Sequence, residues 1–184
     1  VQSAVEEAIQ QLCGRPCHIH GAGRTDTGVH ALSMPAHLDI EENELDRIRD
    51  GLNSKLPSSI LCLSSVPVRD DFNARFHAVS RSYRYRIGKQ RNPFTRFFEY
   101  QPGKVSLNTE FMARAATLSM GNYSWRGFAK EGSGNATWAI NVTNARIEED
   151  SEGWSFYITA DRFLRGAVRI WSGTMFRTGT GRIP

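Results

Sequence analysis

Within Gly21–Leu32 the chain reads GAGRTDTGVHAL, which sets Arg24 and Asp26 two positions apart among three glycines spread over eight residues. Glycines at that density let a backbone turn tightly and approach a ligand closely. A loop built this way can present the Asp26 carboxylate as a nucleophile beside a guanidinium that handles a phosphate or a displaced base. It is not a phosphate-cradling P-loop, since no Gly-Lys-Ser/Thr follows. The same composition also fits a plain tight turn in which Asp26 accepts backbone hydrogen bonds. These residues alone leave both readings standing.

A second cluster is SRSYRYRI, Ser80–Ile87. In a strand of period two, Ser82, Arg84 and Arg86 share one side while Tyr83, Tyr85 and Ile87 share the other. Tyrosines beside arginines can stack a base while guanidiniums meet phosphate. A buried aromatic face backed by a solvated cationic face fits equally. Further on, Arg162, Arg165 and Arg169 stand at i, i+3 and i+7, one basic stripe of an expected final helix over 161–176. An arginine there could pair with a catalytic carboxylate and lower its pKa, or could lie in a plain surface stripe. Cys13, Cys17, His18 and His20 offer four nominal zinc ligands. Without a second pair at finger spacing, no metal is expected, and His30, His37 and His77 are assigned no chemistry.

The elements that must position these residues follow from periodicity. Val1, Val5, Ala8, Ile9 and Leu12 recur at helical spacing, stopped by Gly14 and Pro16. Short strands are expected at 17–20, 32–40 and 60–66, with a second helix through Leu45, Ile48, Leu52 and Leu56, ended by Pro57. A strand rich in tyrosine and arginine then runs to Ile87. A helix at 110–119, a strand pair at 139–147 and 154–159 and the arginine-bearing helix complete the chain. This alternation predicts an α/β (α+β) protein with helices packed on one face of its sheets. Two halves are expected, 1–100 with the aspartate loop and the Arg/Tyr strand, and 101–184 with the arginine-rich helix.

Composition narrows the function classes. The net charge is +4, yet from Arg75 to Lys104 there are eight basic residues and one acid, and five arginines and no acid from Arg162 onward. A basic field of this kind suits a polyanion, and a merely uneven solvated surface would look similar. No apolar run approaches the roughly 18 residues that span a bilayer, so no membrane association is expected. Three cysteines are too few and too odd in number for a disulfide scaffold, which favours a reducing cytoplasm. A first residue, Val1, that already lies inside a helical pattern predicts an excised or processed segment.

Taken together, these motifs resemble the TruA-type tRNA pseudouridine synthases. The resemblance rests on GRTDTGVHA at Gly23–Ala31, on DFNARF at Asp71–Phe76 followed by the Arg/Tyr strand, and on ADRFLRGAVRIWSGTM at Ala160–Met175. It implies a pseudouridine synthase fold with an active-site cleft between the two halves. It also implies isomerisation of uridine at positions 38–40 of the tRNA anticodon arm, with no cofactor or metal, by a homodimer. By resemblance Asp26 is the catalytic aspartate, Tyr83 packs on the uracil, and Arg169 orients and ionises the aspartate. Arg24 takes the space of the flipped nucleotide. Thr25, Arg75, Arg81, Arg84, Arg162 and Arg165 are the further expected RNA contacts. Thr27 stands where the family has Ala, and Asn73 where it often has His. The alternative carried alongside is a catalytically inactive RNA-binding module of the same fold.

Overall fold

The computed structural model describes residues 1–130 and 137–183. The chain divides into two compact units, Val1–Ala78 and Val79–Pro184.

In the first unit, helix α1 (Gln2–Cys13) buries Ala8 and Ile9 and ends at Gly14, whose φ of 73° is the left-handed closure that glycine adopts without strain. Helix α2 (Leu45–Lys55) buries Ile48 and Leu52. A 3-10 turn at Glu42–Glu44 leads into it, with Glu41 and Glu44 forming a reciprocal capping box. The helix stops because Leu56 precedes a proline and takes the extended conformation, φ −73° and ψ 144°. The two helices pack where Gly51 meets Leu12, since a Cβ on Gly51 would lie 2.9 Å from a Leu12 methyl. Arg15 clasps Glu44 through two contacts of 3.1 and 2.6 Å, which hold that carboxyl below its usual range.

The strands expected here are much reduced. Strand β1 is His20–Gly21 and β2 is Ala36–His37, a two-rung antiparallel ladder. The apolar run at 60–66 forms no strand. Instead, the Asn53 side chain accepts from the Cys62 amide at 2.7 Å and donates to its carbonyl at 2.9 Å. A side chain on α2 thus satisfies backbone groups that a neighbouring strand would otherwise pair.

The second unit is a four-stranded antiparallel sheet of β3 (Arg81–Gly88), β4 (Gly121–Ser124), β5 (Ala139–Glu149) and β6 (Gly153–Ala160), in the spatial order β3-β6-β5-β4. Helices α3 (Thr109–Leu118) and α4 (Ala167–Gly179) bury Met112, Ala116, Trp171 and Met175 in one core with Ile87, Ile140, Phe156 and Ile158 of the sheet. Asn108 caps α3 by accepting from the Phe111 amide at 2.9 Å. The hairpin of β5 and β6 turns where expected. Gly153 is required there, because a Cβ would lie 2.0 Å from the Ile87 carbonyl oxygen on β3.

Two sequence expectations change. The unit boundary falls at Ala78/Val79 and not near residue 100, because β3 pairs with β6 over its whole length, from Arg81↔Ala160 to Gly88↔Gly153. The final helix begins at Ala167, not residue 161, because Gly166 precedes it at φ 77° and cannot continue a right-handed helix through that position.

Candidate active-site residues

In the first unit the ladder His20↔His37 and Gly21↔Ala36 is the base of a loop, closed by Ala22 donating to the Pro35 carbonyl at 2.9 Å. Arg24, Thr25 and Asp26 lie on this loop and are exposed. The chain reverses directly at Asp26, where the Val29 amide donates to the Asp26 carbonyl at 3.1 Å and Gly28 sits at φ 81°. A positive φ at the third residue of a turn calls for glycine. Of the loop's three glycines, Gly28 alone has a positive φ, and it fixes the backbone that carries the carboxylate.

The segment DFNARF is fastened to the base of this loop. Asn73 Oδ1 accepts from the Arg75 and Phe76 amides at 3.0 and 3.1 Å, and the Ala74 amide donates to His37 Nδ1 at 3.2 Å. The His37 ring stacks on His20 at 5.1 Å and meets Phe72 edge-on at 6.1 Å. Phe72 in turn meets His77 edge-on at 5.9 Å. Sequence reasoning assigned His37 and His77 nothing. Their part is structural, a ring cluster that holds residues 71–77 to the aspartate loop. The only sequence signal for it was the strand expected at 32–40, too weak to fix a register. Arg75 is exposed and lies 5.8 Å from the Phe76 ring.

In the second unit Tyr83 lies on the core face of β3, opposite Ile158, with its ring edge-on to Phe163 at 5.2 Å. Tyr85 lies on the same face. Burial raises the pKa of its phenol, while the Arg169 charge opposes that rise. Tyr83, Tyr85, Phe163 and Arg169 therefore form one neighbourhood, and Tyr85 and Phe163 are the members that sequence reasoning passed over. Arg169 lies in the first turn of α4. Arg162 and Arg165 precede Gly166, so the expected three-arginine stripe on one helix does not exist. Arg162 is half-buried and its amide donates to Asp161 Oδ1 at 2.7 Å, while the Arg165 carbonyl accepts from the Lys130 amide at 3.0 Å.

The opposite face of β3 behaves as period two requires. Ser82 bonds Thr159 at 2.8 Å and Arg84 is exposed opposite Tyr157. Arg81 donates to the Asp161 carbonyl at 2.9 Å. Arg86 is a structural cation, paired in bidentate fashion with Asp150 at 2.6 and 2.9 Å. Among the described residues, no three His, Cys, Asp or Glu side chains converge as a metal site. Burial pushes the Cys13 thiol up to about 11, with the Glu44 charge adding to it.

Comparison with curated proteins decides the family. The chain is 38% identical to a tRNA pseudouridine synthase A of Porphyromonas gingivalis over all of this chain and 74% of that protein. It is also 38% identical to one of Parabacteroides distasonis, over all of this chain and 73% of that protein. A tRNA pseudouridine synthase A of Rhodopseudomonas palustris matches at 36% over 99% of this chain and 76% of its own length. The chain belongs to the tRNA pseudouridine synthase A family. It is an isomerase with the α/β pseudouridine synthase fold, built of antiparallel sheets and helices. No family model matches the chain. No helix among the described residues is long and apolar enough to cross a membrane.

Proposed function

We propose that this pseudouridine synthase isomerises uridine at positions 38–40 of the tRNA anticodon arm, with Asp26 as its nucleophile. The observation that carries the reading is the match of the whole chain to tRNA pseudouridine synthase A proteins, joined to the exposure of Asp26 on a loop pinned by Gly28. A base in a stem must be unstacked before its glycosidic bond can react, at a cost of a few kcal/mol. Basic surface returns that energy through phosphate contacts. In our reading Arg24 fills the space the nucleotide leaves and Tyr83 packs on the uracil. Arg169 orients the Asp26 carboxylate. Thr25, Arg75, Arg81, Arg84, Arg162 and Arg165 hold the RNA.

The chemistry balances without a redox partner. The carboxylate attacks the uridine, at the sugar or at the base, and the bond from N1 to the sugar breaks. The uracil turns and its C5 bonds to the sugar carbon. The C5 proton leaves to solvent, N1 takes up a proton, and the carboxylate is released. A homodimer acting in the cytoplasm is the assembly and compartment we propose, and all three cysteines being free thiols suits a reducing compartment.

The test is release of tritium from tRNA whose uridines are labelled at C5, comparing the chain with its Asp26→Ala variant. Release should disappear in the variant while tRNA affinity stays within a few-fold. Release that persists in Asp26→Ala would remove the nucleophile from the reading. A folded chain that binds tRNA without any release would instead be an inactive RNA-binding module.

A further inference from the structure

None of the residues assigned to the proposed reaction lies in the loop from Lys89 to Glu99, yet the loop is built with care. Both ends close onto β3: Gly88 donates to the Tyr100 carbonyl and Tyr100 donates to the Arg86 carbonyl, each at 2.9 Å. Inside, the Gln101 carboxamide accepts from the Asn92 amide at 3.1 Å. It donates to the Asn92 carbonyl at 2.8 Å and to Glu99 at 2.9 Å. Asn92 Oδ1 accepts from the Phe94 amide at 3.0 Å, and Phe98 donates to the Thr95 carbonyl at 2.8 Å. A loop held at so many points presents its side chains in a set arrangement.

Those side chains are phenylalanines turned outward. Phe94 is 90% exposed, Phe97 66% and Phe98 64%, and the Arg96 guanidinium lies 4.4 Å over the Phe97 ring. Charge is sorted as well. Glu99 is the one acid between Arg75 and Lys104, and it points inward. Its side chain is 8% exposed, hydrogen-bonded by Thr95 and Gln101, and 3.6 Å from Arg86. The outer surface therefore carries rings and the cations Arg91 and Arg96 without that carboxylate. Beside it opens a groove of about 820 Å³ lined by Lys89, Arg91 and Lys104; its acid, Glu149, is already bound by Lys89 and Thr109.

Rings beside Arg91 and Arg96, which make no ion pair among the described residues, match a polyanion that has planar faces. We propose that loop 89–99 is a stacking platform for unpaired nucleotides of the tRNA, with Phe94 and Phe97 under the bases and Arg91, Arg96 and Lys104 at the flanking phosphates. This rests on the reading of the chain as a tRNA-modifying enzyme and adds a binding surface to it. A protein partner is disfavoured because it would have to supply carboxylates to the cations as well as cover the rings.

The experiment is titration of fluorescent tRNA with the full chain at several salt concentrations, alongside turnover and light scattering. Phe94→Ala/Phe97→Ala should weaken binding about tenfold or more, since a base stack is worth roughly 5- to 150-fold. Its salt slope should stay unchanged. Arg91→Gln/Arg96→Gln should instead flatten the slope of log affinity against log salt by roughly 1.4–1.8. Turnover at saturating tRNA should hold in both variants. An affinity of Phe94→Ala/Phe97→Ala within twofold of the parent would overturn the proposal. So would a fall in its molecular mass, which would make the loop a self-association face. A parent chain that releases no tritium would refute the enzyme reading, while the titration would still decide the loop.

Discussion

Arg86→Met tests whether the base of the aromatic loop is held by charge. The guanidinium is 18% exposed and serves two acids, Asp150 at 55% and Glu99 at 8% exposure. Its bonds to Asp150 are half in water, so their loss counts for no more than about 1 kcal/mol after screening. Glu99 is different. Breaking a fully buried ion pair costs about 3–5 kcal/mol because a charge is left uncompensated. Here Glu99 keeps its bonds from Thr95 and Gln101 at 2.5 and 2.9 Å, and the cation stands 3.6 Å away. That reduces its share to about 1–2 kcal/mol. The methionine stem retains much of the packing, so the expected loss is about 2–3 kcal/mol in all. Urea unfolding followed by tryptophan fluorescence is the assay, since Trp125, Trp138, Trp154 and Trp171 all belong to the second unit. Adding Glu99→Gln should recover about 1 kcal/mol, because a neutral amide needs no cation. A second substitution that recovers nothing would refute the reasoning, whatever the size of the first loss.

Three further outcomes are expected. The Arg86 hydrogen bonds are the largest cause holding the Asp150 carboxyl below its ordinary 3.8; the Gly153 and Glu152 amides add to them and desolvation opposes them. A carboxyl depressed in the folded state contributes stability above its unfolded pKa and loses it as pH falls. Fluorescence-detected stability should therefore drop below about pH 4, and drop less steeply in Arg86→Met. Gly153→Ala would push a methyl to 2.0 Å from the Ile87 carbonyl and prise β3 from β6, at about 3 kcal/mol; an unchanged melting temperature would contradict the register. Cys13, with its thiol pushed up to about 11, should be alkylated well after Cys62 near neutral pH, as peptide mass mapping would show.

Much of the helical framework was legible because helices are local. The spacing of Ala8 and Ile9, and of Ile48 and Leu52, named the buried faces of α1 and α2, and Gly14 and Pro57 marked their ends. The long hairpin of β5 and β6 was legible too, since its two strands are joined by a short turn. The run at 60–66 misled because a short apolar run specifies a strand only where a partner edge exists, and at Cys62 the Asn53 side chain took the partner's place. The arginine stripe misled because spacing was counted through Gly166, where the backbone turns left-handed. Tyr85 was passed over because alternation names a face but not which ring on it lies near Arg169.

By itself the sequence determined the chemistry on offer: a carboxylate at position 26 between glycines, tyrosines alternating with arginines, and a basic field of the kind that suits a polyanion. Those are properties of composition and short spacing, and they survive any rearrangement of distant segments. Only the tertiary structure decided which cations remain available for a ligand. Arg86 became a strut because Asp150, from the distant turn between β5 and β6, and Glu99, from the loop after β3, fold against it, and the same fold turned the aromatic loop's one acid inward. Pairing between distant charges depends on strand register, and register is settled by the packing of the whole sheet.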